Sequence, residues 1–243
     1  MPSGGSPTGL PVRSGADIRL ADAFGLPGCP LCRERARTEA AYLESILAES
    51  VNDVAFRARL DEARGFCSFH SREVLDADRR RAGSLAATIL LWATLKIRLG
   101  ELEEAHVSGG RTRSKRLEAA SRPPQCPACA RMTAADAIAV ESVMHLAEGV
   151  AWVEAVAAAP FCQEHLLALA SQRPAAAAWP EIEERHLARL RTLRDDLAGY
   201  AHASAHDLRD SITEAQQASA DAGAAYLGGD AGSRRPNGGG DAG

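Results

Sequence analysis

Tyr42, Leu43, Ile46, Leu47 and Val51 recur at steps of three and four, which lays one apolar stripe along a helix. Val140, Val143, Met144, Ala147, Val150 and Ala151 repeat the pattern later in the chain. Asn52-Asp53 reads as a break and N-cap, after which Val54 to Ala63 restarts as a second short helix that Gly65 ends. A short helical stretch follows His70 and leads to a long helix over about residues 84–106. "LLALAS" follows His165, and a helix over about 181–200 comes next, with Pro180 suited to its start. No stretch alternates with a period of two for more than a few residues. The predicted fold class is all-α.

The strongest apolar run is "LAATILLWATL", Leu85 to Leu95. As helix it spans roughly 16 Å, about half of a bilayer's hydrocarbon core, so it reads as a buried helix and not as a membrane span.

The same stretch of text is written twice. "CPLC" (29–32) aligns with "CPAC" (126–129), and at equal offsets "LESIL" (43–47) aligns with "VESVM" (140–144). After a slip of one residue "VAF" (54–56) answers "VAW" (150–152), and the copies close on "GFCSFH" (65–70) and "PFCQEH" (160–165). The first copy is C-P-x-C, 34 residues, C-x-x-H; the second has 32 residues in the gap. An internal duplication explains the whole series. It predicts two pseudo-symmetric helical repeats, 21–106 and 126–205, joined by a polar linker or exposed loop over 107–125. Residues 1–20 are expected to be disordered. In 206–243 a short helix over about 207–218 is expected before a disordered Gly-rich tail.

Composition narrows the function classes. A net charge of −4 and a pI near 6.0 lack the broad basic face of a nucleic-acid binder. "RTRSKR" (111–116) is an isolated basic run and reads as a solvated one. The N-terminal residues lack the apolar run of a signal peptide, so the expected location is the cytoplasm, with no membrane association. His106, His145, His186, His202 and His206 read as ordinary helical or interhelical residues. Trp92, Trp152 and Trp179 read as core or interface anchors.

All six cysteines belong to the duplicated motifs, and in a reducing compartment that spacing signals metal or thiol chemistry, not disulfides. Zinc takes four thiolate or imidazole ligands in a tetrahedron. C-P-x-C presents two thiolates on one side of a tight bend. Residues i and i+3 of a first helical turn share a face, so the cysteine and histidine of C-x-x-H can address one ion. The expected ligands are Cys29, Cys32, Cys67 and His70 for one Zn2+, and Cys126, Cys129, Cys162 and His165 for a second. Each site is assumed local to its copy, although a site pairing Cys29 and Cys32 with Cys162 and His165 is geometrically conceivable. Thiol redox chemistry without metal and an iron–sulfur cluster are the competing chemistries. Four protein ligands leave no position for substrate, so these centres staple helices and perform no hydrolysis. There is no phosphate-binding Gly loop, no nucleophile elbow and no acid/base carboxylate pair, hence no catalytic residue.

With "CPLCR", "VND", "GFCSFH" and their second copies, the chain resembles an uncharacterised prokaryotic family, a domain of unknown function in which a C-P-x-C…G-x-C-x-x-H unit occurs twice. The resemblance covers about residues 26–205 and implies an all-α, metal-binding, cytoplasmic protein without a known activity. The chain departs from it by Pro160, which stands where the first copy has Gly65. Three functions follow as expectations. The first is a non-enzymatic zinc scaffold that offers a helical surface to another protein or to a second copy of itself. The second is a redox- or metal-responsive zinc-thiolate switch. The third is an enzyme with a site between the repeats.

Overall fold

Both apolar stripes read from the sequence fall on helices, but a turn at 147–149 breaks the second and leaves Val150 and Ala151 exposed. The computed structural model describes residues 10, 15–81, 85–172, 177–205 and 211–229, and no strand occurs among them. The stretch read from the sequence as the first copy contains α2 (Pro30–Ser45), a π-helical turn (Ile46–Ser50), α3 (Val54–Glu62), α4 (Ser68–Arg80) and α5 (Ala86–Val107), all preceded by α1 (Gly15–Phe24). After α6 (Gly110–Ser121), the stretch read as the second copy contains α7 (Pro127–Leu146), α8 (Val150–Ala158), α9 (Gln163–Ser171) and α10 (Trp179–Ala205), and α11 (Glu214–Gly228) follows. The all-α fold class is established. Among the described residues no helix is long and apolar enough to cross a membrane.

Local chemistry sets the breaks. Asp53 has an extended backbone, and its carboxylate accepts from the Phe56 amide, so it caps α3 as the sequence suggests. At the far end of α3, Arg64 (φ 59°) and Gly65 (φ 89°) both turn left-handed, and the Gly65 amide donates back to the Leu60 carbonyl at 2.8 Å. Gly65 is needed for a second reason. A Cβ there would sit 2.2 Å from Thr94 Cγ2 of α5, too close for any side chain. The start of α5 has no cap of its own from Leu85; the buried Asp78 carboxylate of α4 accepts from the Ala87 amide at 3.1 Å instead. Arg64 then ties three elements together. It pairs with Glu101 of α5 and donates to the carbonyls of Ala120 and Arg122 at the end of α6.

The chain divides into two compact units, and the division does not follow the copies. One unit holds the described residues up to Ala36 together with those from Ala135 on; the other holds Arg37–Ala134. The first unit packs Leu20, Leu31, Val143, Trp152, Phe161 and Ile182 into its core, with Phe24 edge-on to both Trp152 and Phe161. The second packs Leu43, Ile46, Leu60, Phe66, Val74 and Leu90. The phenylalanine before each C-x-x-H is therefore a core anchor. Burying such a ring contributes about 1.5–3 kcal/mol and fixes the backbone one residue from a thiol.

Several expectations are revised. Residues 107–125 are not a plain loop: α6 packs on α5, although its surface is almost wholly exposed and carries "RTRSKR". A helix begins at Gly15 within the segment expected to be disordered. The last helix starts at Glu214 rather than 207 and continues to Gly228, and a capping box between Thr213 and Gln216 fixes that start. Residues 1–9, 206–210 and 230–243, including His206, lie outside the described residues. The run Leu85–Leu95 is buried on one face only: Ala86, Ala87, Leu90 and Ala93 face inward, while Leu85, Ile89, Trp92 and Leu95 are exposed. Trp152 and Trp179 are core residues, whereas Trp92 is 61% exposed.

Candidate metal centre

All four half-motifs turn out to be one local device. Pro30 and Pro127 are the first helical residues of α2 and α7, so each C-P-x-C is the first turn of a helix and not a bend before one. The Cys29 carbonyl accepts from the Arg33 amide, and the Cys126 carbonyl from the Ala130 amide, which makes both cysteines N-cap residues. Cys67 and Cys162 are the N-caps of α4 and α9. Every pair thus consists of an N-cap cysteine and the side chain three residues on, which share a face of the opening turn. Free amides and the positive end of the helix dipole lie beside each pair and favour anionic sulfur. At α4 this is a direct contact, with the His70 amide donating to Cys67 Sγ at 3.4 Å.

The half-motifs do not close within their copies. Cys29, Cys32, Cys162 and His165 form one group, and Cys67, His70, Cys126 and Cys129 form the other, with the donor atoms of each group all within 4.8 Å of one another. The assumption of local sites is overturned, and helix lengths explain why. The 16 residues of α2 and the π-helical turn carry the chain roughly 30 Å from Cys29. The nine residues of α3 span only about 14 Å, too little to retrace that length, and Cys67 and His70 group with other cysteines. The 20 residues of α7 and nine of α8 repeat the same mismatch. Each C-x-x-H instead meets the other copy's C-P-x-C.

In the first group Nδ1 of His165 lies 3.4 Å from Cys29 Sγ, 3.4 Å from Cys32 Sγ and 3.2 Å from Cys162 Sγ, and the sulfurs of Cys32 and Cys162 are 3.6 Å apart. In the second, Nδ1 of His70 lies 3.3 Å from Cys67, 3.4 Å from Cys126 and 3.3 Å from Cys129, and Cys67 and Cys129 are 3.7 Å apart. The sulfurs are free thiols far beyond disulfide distance. Both groups could hold a metal ion. The four donors of the first group are all buried; in the second, Cys67 and Cys129 are partly exposed.

Each imidazole turns its other nitrogen, Nε2, toward a carboxylate. Glu39 Oε1 lies 2.9 Å from Nε2 of His70, and Asp136 Oδ1 lies 3.9 Å from Nε2 of His165. Asp136 is also 3.4 Å from Arg35, a nearly buried guanidinium. Sequence reading missed both acids, yet a signal was there: each stands ten residues after the first cysteine of its copy. Such carboxylates hold a ligating imidazole in one tautomer and raise its basicity. The connection also crosses copies, because α2 carries Cys32 for one group and Glu39 for the other.

The electrostatics are those of donors competing for protons. Burial alone would lower the His70 pKa, but the sulfurs of Cys126 and Cys67 and the Glu39 carboxylate outweigh it and raise it to about 11. Burial likewise opposes, and Asp136, Cys162 and Cys32 overcome it, in raising His165 to about 11. Hydrogen bonds from Cys126 and Cys129 hold the Cys67 thiol well below its usual range, whereas Cys162, Cys32 and burial push Cys29 up. A metal entering either group displaces these protons, so its affinity rises with pH.

One cavity adjoins the first group. It has a volume of about 490 Å³ between α10 and α11, and Cys29, Phe161, Leu166, His186, Arg189 and Tyr226 are among its mostly apolar walls. Several of its polar groups are engaged with backbone carbonyls. His186, with its pKa lowered to about 4 by burial and by Arg189, contacts the Val156 carbonyl. Arg189 donates to the carbonyls of Ala157 and Ala159 and so braces the turn before Phe161.

The cross-copy pairing has a direct test in metal stoichiometry, read by elemental analysis. Cys67→Ser with Cys126→Ser strikes a single group and should leave one ion per chain. Cys29→Ser with Cys67→Ser, both in the first copy, should leave none; sites local to each copy would give the reverse pattern. The carboxylates give a second test by chelator competition. Glu39→Gln should weaken one ion by about 10–100-fold, and Asp136→Asn should weaken the other by less, since its carboxylate stands farther away and is shared with Arg35. Equal, unchanged affinities would show that the acids do not support the ligands.

Comparison with curated proteins gives no match, and neither does comparison with solved structures. A family model described as "Family of unknown function (DUF6062)" matches residues 16–198, a span that includes all eight clustered donors and both carboxylates. The chain belongs to that family of unknown function.

Proposed function

We propose that this protein is a non-enzymatic zinc-binding helical scaffold, a cytoplasmic protein-interaction module whose two zinc ions are structural. The observation that carries this reading is the donor set, three sulfurs and one imidazole nitrogen converging at each centre. Zn–S near 2.3 Å and Zn–N near 2.0 Å in a tetrahedron imply S–S spacings of about 3.8 Å and S–N spacings of about 3.5 Å. The spacings of 3.6–3.7 Å and 3.2–3.4 Å lie close to those values. Four protein ligands complete the shell of a zinc ion, so no water or substrate finds a position on it. Elemental analysis of protein purified without added metal should find two zinc ions per chain. Removing them with a strong chelator should abolish far-UV helicity, since structural zinc contributes about 10–16 kcal/mol of apparent binding energy. Full helicity in verified metal-free protein would refute the structural role.

A second reading, a zinc-thiolate redox switch, is favoured by one difference between the centres. Cys67 and Cys129 are partly exposed, whereas all four donors of the other centre are buried. Oxidants reach accessible thiolates first. Dilute peroxide should then release one zinc ion per chain, with oxidation mapping to Cys67 or Cys129, and a reductant should restore it. Simultaneous loss of both ions, only on unfolding, would remove this reading.

A further inference from the structure

The buried face of α5 leaves an opposite face that is equally apolar. Leu85, Ile89, Trp92, Leu95, Leu99 and Leu102 are between 37% and 70% exposed. The spacing of these residues is informative. Leu85, Trp92 and Leu99 are seven apart, Leu95 and Leu102 interleave with them at steps of three and four, and Thr88 is the polar member of the series. That 3.5-residue period is the period of a helix that packs along another helix. A helix that is apolar all round is a core helix when it is covered, and α6, which packs on α5, leaves these side chains open.

We propose that this seam of α5 is the contact by which two copies of the chain associate, antiparallel, as a symmetric dimer. Area supports a second copy as the occupant. The six side chains expose roughly 600 Å² per chain, so a self-pair buries about 1,200 Å², the lower bound of a stable specific interface. The order of residues along the seam supports it as well, and fixes the direction. An antiparallel pair about a twofold axis near residues 93–94 sets Leu85 against Leu102, Thr88 against Leu99 and Trp92 against Leu95 of the other copy, so the whole seam is covered. The seam is about 26 Å long from Leu85 to Leu102, long enough for two heptads on each chain. This inference gives the scaffold reading a partner and rests on it.

The test uses the full zinc-loaded chain in sedimentation equilibrium, with zinc content and circular dichroism measured on every sample. The expected result is a monomer–dimer equilibrium with Kd of about 1–10 μM, accompanied by a blue shift of Trp92 fluorescence as concentration rises. Leu95→Glu with Leu99→Glu should leave a monomer that retains two zinc ions and full helicity, because both side chains are exposed in the single chain. A chain that stays monomeric at about 100 μM overturns the proposal. So does a dimer indifferent to the paired leucine substitutions, or a monomer that binds lipid vesicles through the same seam. In each case intact zinc and helicity leave the scaffold reading standing, whereas loss of both in the wild-type chain would count against that reading instead.

Discussion

Everything in this molecule depends on one geometric fact: two side chains three residues apart on the first turn of a helix point the same way. Used four times, that fact yields four pairs of donors, each on a helix N-terminus and each incomplete alone. Two pairs per ion are required, and the pairs that meet are far apart in sequence. Cys32 and Cys162 enclose more than half of the chain, and His70 and Cys126 enclose α4, α5 and α6. Closing such loops costs entropy that grows slowly with length, so the long span is little dearer than a short one. Four strong bonds to one ion can therefore hold together segments that few side-chain contacts would join.

The exchange of half-motifs between copies follows from helix lengths more than from any residue preference. A long helix that leaves a C-P-x-C and a short one that returns cannot bring the chain back to its start. Two segments with that mismatch complement each other, each completing the other's centre. The supporting carboxylates obey the same logic. Glu39 and Asp136 sit about three turns along α2 and α7, so each faces the histidine of the centre that its own cysteines do not serve. Either segment alone would hold two half-centres and no whole one.

Much of this was legible in the letters. The spacing singled out the eight residues that gather into two Cys3His groups, the apolar positions placed α2, α3, α5, α7 and α10, and Asp53 and Gly65 marked real breaks. What could not be read directly was three-dimensional return. Pairing was assigned by proximity in sequence, although counting helical rise in α2 and α3 already disfavours it. Glu39 and Asp136 escaped notice because a carboxylate on a helix is usually a solvated one; only their equal offset distinguishes them. The segment 107–125 looked like a linker because Gly109-Gly110 and Pro123-Pro124 bracket it, yet the residues between are good helix formers, and Arg64 fastens the far end.

The long helices show where the two copies part company. Both α5 and α10 are followed by a helix packed against them, α6 and α11. On α10 the fit is close: a Cβ at Gly199 would meet Gln216 Nε2 at 2.3 Å, and one at Gly223 would meet Leu197 Cδ1 at 3.3 Å. The exposed remainder of α10 is rich in Glu, Arg and Asp, as a solvated helix should be. On α5 the companion helix is held by Arg64 and by the Arg116–Glu104 ion pair, contributes no buried residue, and leaves leucines where α10 has charges. Exposed leucines singly need no explanation, but a row of them at a regular period does. The packed helix is thus finished at its surface on α10 and unfinished on α5.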